Sequence, residues 1–526
     1  MKIITAEQAA RLIKSGDTVA LSGFELACAN EEVMIALEKQ FVAENTPQNL
    51  TIMHASCLGD RQTKGMTHLS YPGLLKRWIG GIVMASSPKL SEMIQKDECE
   101  AYNLPQGVIT QLYREIAAKR PGVITKVGLG TFVDPRVEGG KMSASTKEDI
   151  VKVIELNGEE WLHYPSFPIQ VGLIRGSTID ENGNLTLDHE GLHMEVLPIA
   201  QAVHNSGGIV IAQVEHVAKA GSLNPKAVRV PGILIDYAVV SKPENHFQTG
   251  TTYYNPAFSG EIKVPLDSVP TLPLDERKVI ARRAAMELEP KTILNLGVGI
   301  PVNVSIVAAE EGISDQIILT TEAGSVGGVP AGLKDFGHAY NSEAIVEHHA
   351  QFDFYDGGGL DLSVLGLAEA DQFGNVNVSK LGSRVIGCGG FINISQTAKK
   401  IIFTGTFTAG GLDVAVEDGK LVIKQEGKSK KFVSKVNQIT FSGEYASKGS
   451  QKVMFVTERA VFKLKNGKLC LTEIAPGVDL QKDILDQMEF KPEIATDLKT
   501  MSVDLFKESW NKLSSIIAEK QHKGAK

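Results

Sequence analysis

"TILNLGVG" (292–299) and "QIILTTEAGSVGG" (316–328) each begin as an apolar run and end in glycines, with a helical pattern between them. Continuous Val/Ile/Leu runs, rather than alternating ones, are the mark of strands buried on both faces. Strands separated by helices pair in parallel, so the expected fold is an open α/β sheet. "TVALSGF" (18–24) and "NLTIMHA" (49–55) repeat the plan near the start of the chain.

The two halves echo each other further. "TIDENGNLTL" (178–187) and "EADQFGNVNV" (369–378) share an Asp-x-x-Gly-Asn element, with Asp180 and Asp371 lying 191 residues apart. A short glutamine-containing helix and a strand follow each element, and Gln201 and Gln396 lie 195 apart. An offset this long means two tandem, homologous copies of one open parallel-sheet α/β domain, not a solenoid of short units. The segment 242–278 carries five prolines and little periodicity, as expected of a linker. The expected organisation is a first domain over 1–243, a linker over 244–274 and a second domain over 275–526. Asp275 is placed to cap the helix that opens the second copy.

Composition narrows the function. The 526 residues are 43% apolar and 22% charged with net charge −8, which gives no footprint for nucleic acid or an anionic membrane. No apolar stretch approaches the ~20 residues needed to cross a bilayer. The start reads as a helix capped by Thr5 and Gln8 and stopped by Gly16, not as a signal peptide. Five widely spaced cysteines give neither a disulfide framework nor a zinc site, and they suit a reducing cytoplasm. "EHH" (347–349) is expected to be a solvated helix face, because adjacent helical histidines point about 100° apart, and no metal is expected.

Three glycine loops remain: "NLGVGIP" (295–301), "TTEAGSVGG" (320–328) and "GCGGFINIS" (387–395). Glycines let backbone approach a ligand closely, and clustered N–H groups attract anions. In open parallel sheets, ligands gather at the carboxyl ends of strands. "GVGIP" lacks the third glycine and distal acid of a dinucleotide fingerprint, which disfavours hydride transfer. Glu322 is the main chemical group in these loops. It reads equally as a cap on the loop's N–H groups or as a carboxylate nucleophile, and the residues alone leave the two level.

The second-half stretches, with "QFDFYDGGGLD" (351–361) and "EADQFGNVNVS" (369–379), strongly resemble family I coenzyme A transferases. So do "YNLPQGVITQ" (102–111), "GLGTFVDPRVEGGK" (128–141) and "AQAVHNSGGIVIAQVE" (200–215) in the first half, and "TFSGE" (440–444) and "APGVDLQKDILDQM" (475–488) near the end. The likeness is to the single-chain acetate/propionate type, in which the separate α and β subunits of other members are fused. By this resemblance Glu322 is the nucleophile that carries CoA as a glutamyl thioester. Gly389 and Gly390 are the candidate backbone oxyanion donors, and Gln106 is the candidate side-chain donor from the first half, the alternative being an ordinary loop glutamine. The resemblance puts CoA contacts at Gly297, Val298, Gly299 and Ile300, with Gly389 beside them. It implies exchange of CoA between short-chain acyl-CoA and free carboxylates (acetate, propionate, butyrate or acetoacetate), with no tightly bound cofactor, in a cytoplasmic homotetramer. The site is expected in a cleft between the halves, once per chain, since the first copy offers His54 or Ala55 where the second has Glu322. Cys388 is expected to pack rather than react. An acyl-CoA hydrolase using the same intermediate, or a non-catalytic metabolite-binding protein, are the competing readings.

Overall fold

Each apolar run forms a strand whose side chains are covered on both faces; Val171–Arg175 is buried at every position. The computed structural model describes residues 1–265, 271–332 and 335–524, so part of the expected linker and the end of the basic tail lie outside the described residues. Two compact units form. The first contains 1–264, 321–354 and 382–393; the second contains 265–320, 355–381 and 394–526. The repeat boundary near 243 and 275 is therefore not the boundary of compactness: the first unit also takes in two pieces of the second copy.

The first unit is built on strands β1 (Lys2–Ile3), β2 (Thr18–Leu21), β3 (Leu50–His54), β4 (Leu75–Gly80), β5 (Glu100–Asn103), β6 (Val171–Arg175), β7 (Ile209–Val214) and β8 (Tyr237–Val240). Their order is β1-β8-β7-β6-β2-β3-β4-β5, and every pairing is parallel. Thr5 and Gln8 make the expected capping box, but the helix ends at Ala10, well before Gly16.

The second unit holds β9 (Thr292–Leu296), β10 (Ile317–Thr320), β11 (Leu362–Gly366), β12 (Lys400–Thr404), β13 (Lys452–Val456), β14 (Ala460–Lys465), β15 (Lys468–Ile474) and β16 (Glu493–Thr500). They run in the order β10-β9-β11-β12-β13-β14-β15-β16. The sheet is parallel from β10 to β13 and then turns antiparallel at β14 and β15. The cause of the last hairpin is local: Asn466 (φ +50°) and Gly467 (φ +75°) form an Asn-Gly turn with both residues left-handed, which matches the twist of an antiparallel pair. Asp275 caps the helix Glu276–Ala285 through the N–H groups of Arg277 and Lys278, as its position in the sequence implied.

The repeat is visible atom by atom. Asp180 Oδ1 accepts from the N–H groups of Asn182 and Asn184, and its Oδ2 accepts from the Asn184 amide. Asp371 does the same with Phe373, Asn375 and the Asn375 amide. Counting back equally from these two turns reaches Gly172 and Ser363. Gly172 pairs with Ala20, which pairs with Met53; Ser363 pairs with Asn295, which pairs with Thr320. The residue two beyond Met53 is Ala55, and the residue two beyond Thr320 is Glu322. Among the described residues no helix is long and apolar enough to cross a membrane.

Candidate active site

Strand β10 ends at Thr320, and the chain then folds into a turn around Glu322. Thr321 N–H bonds Ser325 O at 2.9 Å, and Gly324 N–H bonds Thr321 O at 3.1 Å. The Thr321 hydroxyl accepts from Ser325 N–H and donates to Gly337 O. Glu322 lies partly buried at the apex. Gly324 makes the turn possible: its φ is +118°, and a Cβ there would stand 2.2 Å from Val346 O. Its carbonyl accepts from Val346 N–H at 2.9 Å, so the turn is tied to the segment that leads directly into the helix His348–Asp356.

The third glycine loop lies in the same unit. Gly389 N–H donates to Gly81 O at 2.8 Å, and Gly389 O accepts from Gln106 N–H at 2.9 Å. Asn103, fully buried, accepts from Cys388 N–H and donates to the carbonyls of Gly80 and Gly81. Asn393 accepts from Gly107 N–H. These bonds anchor the loop to the start of the helix Gln106–Ala117. They also divide the two expected backbone donors. Gly389 N–H is already committed to Gly81, whereas Gly390 N–H carries no hydrogen bond among the described residues.

Gln106 is buried, and its Nε2 lies 2.8 Å from His348 Nε2. An amide NH2 has two hydrogens, so one remains to offer elsewhere. His348 Nδ1 meets Glu195 Oε1 in a very short contact, with both side chains fully buried. The expectation of a solvated "EHH" face is thus overturned at His348, which the fold points inward to two polar partners. His349 is partly buried, and burial together with Arg114 holds its pKa below the ordinary value. Glu195 and Asn103 were missed by sequence reasoning because nothing in their local pattern distinguishes them.

The "GVGIP" loop belongs to the second unit. Gly297 N–H bonds Val364 O at 2.9 Å, and beyond it the loop is open, with Val298 44% exposed. Gly299 has φ +88° and nothing within 4 Å of where a Cβ would stand, so glycine is needed there for its backbone conformation rather than for space. Cys388 is buried, its thiol is pushed up by burial, and its Sγ lies 3.4 Å from Leu104 O, the surroundings of a packing residue. Among the described residues the side chains of His189, Glu215 and His216 bring ligand-type atoms within 4.8 Å of one another; His189 and Glu215 already meet at 3.3 Å as a partly exposed pair.

Residues 3–241 match the family model described as "Coenzyme A transferase". The chain is 52% identical over 524 residues to the caffeate CoA-transferase of Acetobacterium woodii, covering 98% of this chain and all of that one. It is 44% identical over 505 residues to the acetate CoA-transferase YdiF of Escherichia coli K12, covering 96% and 95% of the two chains. The crystal structure of the YdiF acyl-CoA transferase apoenzyme from Escherichia coli O157:H7 superimposes with TM-score 0.92 at 43% identity over 97% of both chains. Its thioester complex with CoA superimposes with TM-score 0.91.

Proposed function

Since the chain belongs to the coenzyme A transferase family, we propose that it exchanges CoA between short-chain acyl-CoA thioesters and free carboxylates through a thioester formed on Glu322. The transferase activity itself is shared by relatives that match nearly end to end. The observation that carries the assignment of the acid is the Gly324 turn, which presents one partly buried carboxylate directly after a parallel strand.

The chemistry runs in balanced steps. The Glu322 carboxylate attacks the acyl-CoA carbonyl, forming a mixed anhydride and releasing CoA thiolate. The thiolate attacks the glutamyl carbonyl, giving the enzyme thioester and the free carboxylate product. The incoming acid reverses both steps, so kinetics are ping-pong. One thioester bond is exchanged for another, so the reaction consumes no ATP. Each tetrahedral intermediate develops an oxyanion. Gly390 N–H and the second amide hydrogen of Gln106 are the donors assigned to it. Gly297, Val298, Gly299 and Ile300, with Gly389, are assigned to CoA. The resemblance also supports a homotetramer in the cytoplasm with no tightly held cofactor, which light scattering tests for the assembly.

Acetyl-CoA treatment followed by borohydride reduction and peptide mass analysis tests the intermediate. The expected product is modification at Glu322 and its absence in Glu322→Ala; an unmodified Glu322, or turnover by the variant, refutes the reading. Free CoA released without acceptor acid would identify a hydrolase instead. The two relatives are named for acids of different size, acetate and caffeate. An acceptor panel running from acetate and butyrate to caffeate therefore separates a small acyl pocket from one open to aryl acids.

A further inference from the structure

Glu195, His348 and Gln106 form a chain of three polar side chains that the transfer chemistry above uses only at its last member. All three are almost completely buried, at 0%, 0% and 1% exposure. Glu195 stands at the N-terminus of the helix Val196–Asn205 but makes no capping bond to it. Its side chain turns instead to His348, and its Oε2 has no hydrogen-bond partner among the described residues. His348 follows, by two residues, the Val346 N–H that is bonded to Gly324 of the Glu322 turn, and Gln106 is bonded through its backbone to Gly389. The chain thus connects the acid's turn to the glycine loop.

The direction of its hydrogen bonds follows from what each atom can do. The amide nitrogen of Gln106 has only hydrogens to offer, so His348 Nε2 presents its lone pair. The ring hydrogen is then on Nδ1, facing Glu195, whose carboxylate oxygen only accepts. The acid sets the imidazole tautomer, and the tautomer sets which end of the amide faces the ring. With the other tautomer, Nε2–H would call for the amide oxygen, and the amide would turn over, presenting oxygen where an oxyanion needs a hydrogen.

We propose that Glu195 and His348 are positioning residues that fix the amide of Gln106 in the orientation that donates to the oxyanion. This rests on the assignment of Gln106 as an oxyanion donor. Glu195→Gln is the informative substitution, because a glutamine can donate to Nδ1 and so permits the wrong tautomer.

The test is a double-mutant cycle on the purified full chain, measuring exchange from acetyl-CoA to propionate, with circular dichroism and thermal midpoints to establish folding. Loss of an oxyanion donor typically costs about 100-fold or more, and Gln106→Ala is expected to lose about that in kcat. Glu195→Gln is expected to lose about 10- to 100-fold in kcat, with KM for acetyl-CoA changed less than about threefold, since it removes a transition-state interaction. The double variant is expected to be no slower than Gln106→Ala alone, because the acid acts only through the amide. Glu195→Asp, which keeps an acceptor-only group, is expected to recover part of the loss and serves where Glu195→Gln does not fold. Full kcat in Glu195→Gln, multiplicative losses in the double variant, or Glu195→Asp no better than Glu195→Gln overturns the inference. Full kcat in Gln106→Ala overturns the donor assignment itself, and the inference with it.

Discussion

Replacing Gly324 by alanine should damage catalysis far more than folding. A Cβ at this position would lie 2.2 Å from Val346 O, whereas ordinary contact begins near 3.4 Å, so the two backbones must separate by more than an ångström. The φ of +118° is also one that an alanine adopts only under strain, worth about 1–3 kcal/mol. Separation breaks the 2.9 Å Val346–Gly324 hydrogen bond, worth about a further 1 kcal/mol. A local cost of about 2–4 kcal/mol lowers the thermal midpoint by several degrees and leaves a 526-residue protein folded. Activity is more sensitive, because a 1 Å misplacement of a reacting group can cost about 100-fold. The assay is kcat for CoA exchange beside a melting curve, with Gly332→Ala as the control. Among the described residues nothing lies within 4 Å of where a Cβ on Gly332 would go, and its variant should match the parent. Parent-like kcat in Gly324→Ala would show that the Glu322 turn tolerates displacement, which refutes its role as the rigid mount of the proposed nucleophile.

Two further outcomes follow from buried groups. Burial alone would raise the Glu287 carboxyl, but Arg283 and Lys400 outweigh it and hold it down to about 2. A folded value below the ordinary ~4.3 of an unfolded glutamate means the stabilisation is full above that pH and is lost as pH falls toward 2, with a ceiling of about 3 kcal/mol. The urea-unfolding gap between the parent and Glu287→Gln should therefore narrow across that window, and a pH-independent gap refutes the linkage. The five cysteines are free and buried. An aromatic disulfide reagent should find almost no reactive thiol at pH 8 until denaturant is added, and Cys388→Ala should keep its kcat; rapid modification with loss of activity would reverse the assignment of Cys388 as packing.

The parallel sheets, the duplicated plan and the position of Glu322 were legible because each is written in local pattern: buried strands as unbroken apolar runs, the repeat as two Asp-x-x-Gly-Asn turns, the acid as one carboxylate at a strand's end. The antiparallel edge of the second unit is also written locally, as Asn466-Gly467, but the apolar runs on either side of it read like those of the parallel strands. His348 could not be read the same way. Its neighbours Glu347 and His349 make the segment look like a wet helix start, while the partners that bury it, Glu195 and Gln106, lie 153 and 242 residues away. The division into compact units was hidden for the same reason: segments 321–354 and 382–393 belong by sequence to the second copy and by packing to the first unit.

The packing of these two second-copy segments into the first unit gives the duplication a chemical consequence. Two copies of one domain would ordinarily offer two equivalent sites, yet the strand registers set Ala55 where the second copy has Glu322. Ala55 has no group to attack a carbonyl, so the first copy cannot form a thioester at that place. What the first copy retains is the polar scaffold: Asn103 stitching the glycine loop, the amide of Gln106, and Glu195 at a helix start. The second copy supplies the acid, His348 and Gly390 from the segments packed into the same unit. Neither copy alone contains both the proposed nucleophile and the side chains assigned to its oxyanion. A fusion of the two copies in one chain keeps them at equal stoichiometry, and on the proposed mechanism loss of either half is expected to remove the reaction completely rather than by half.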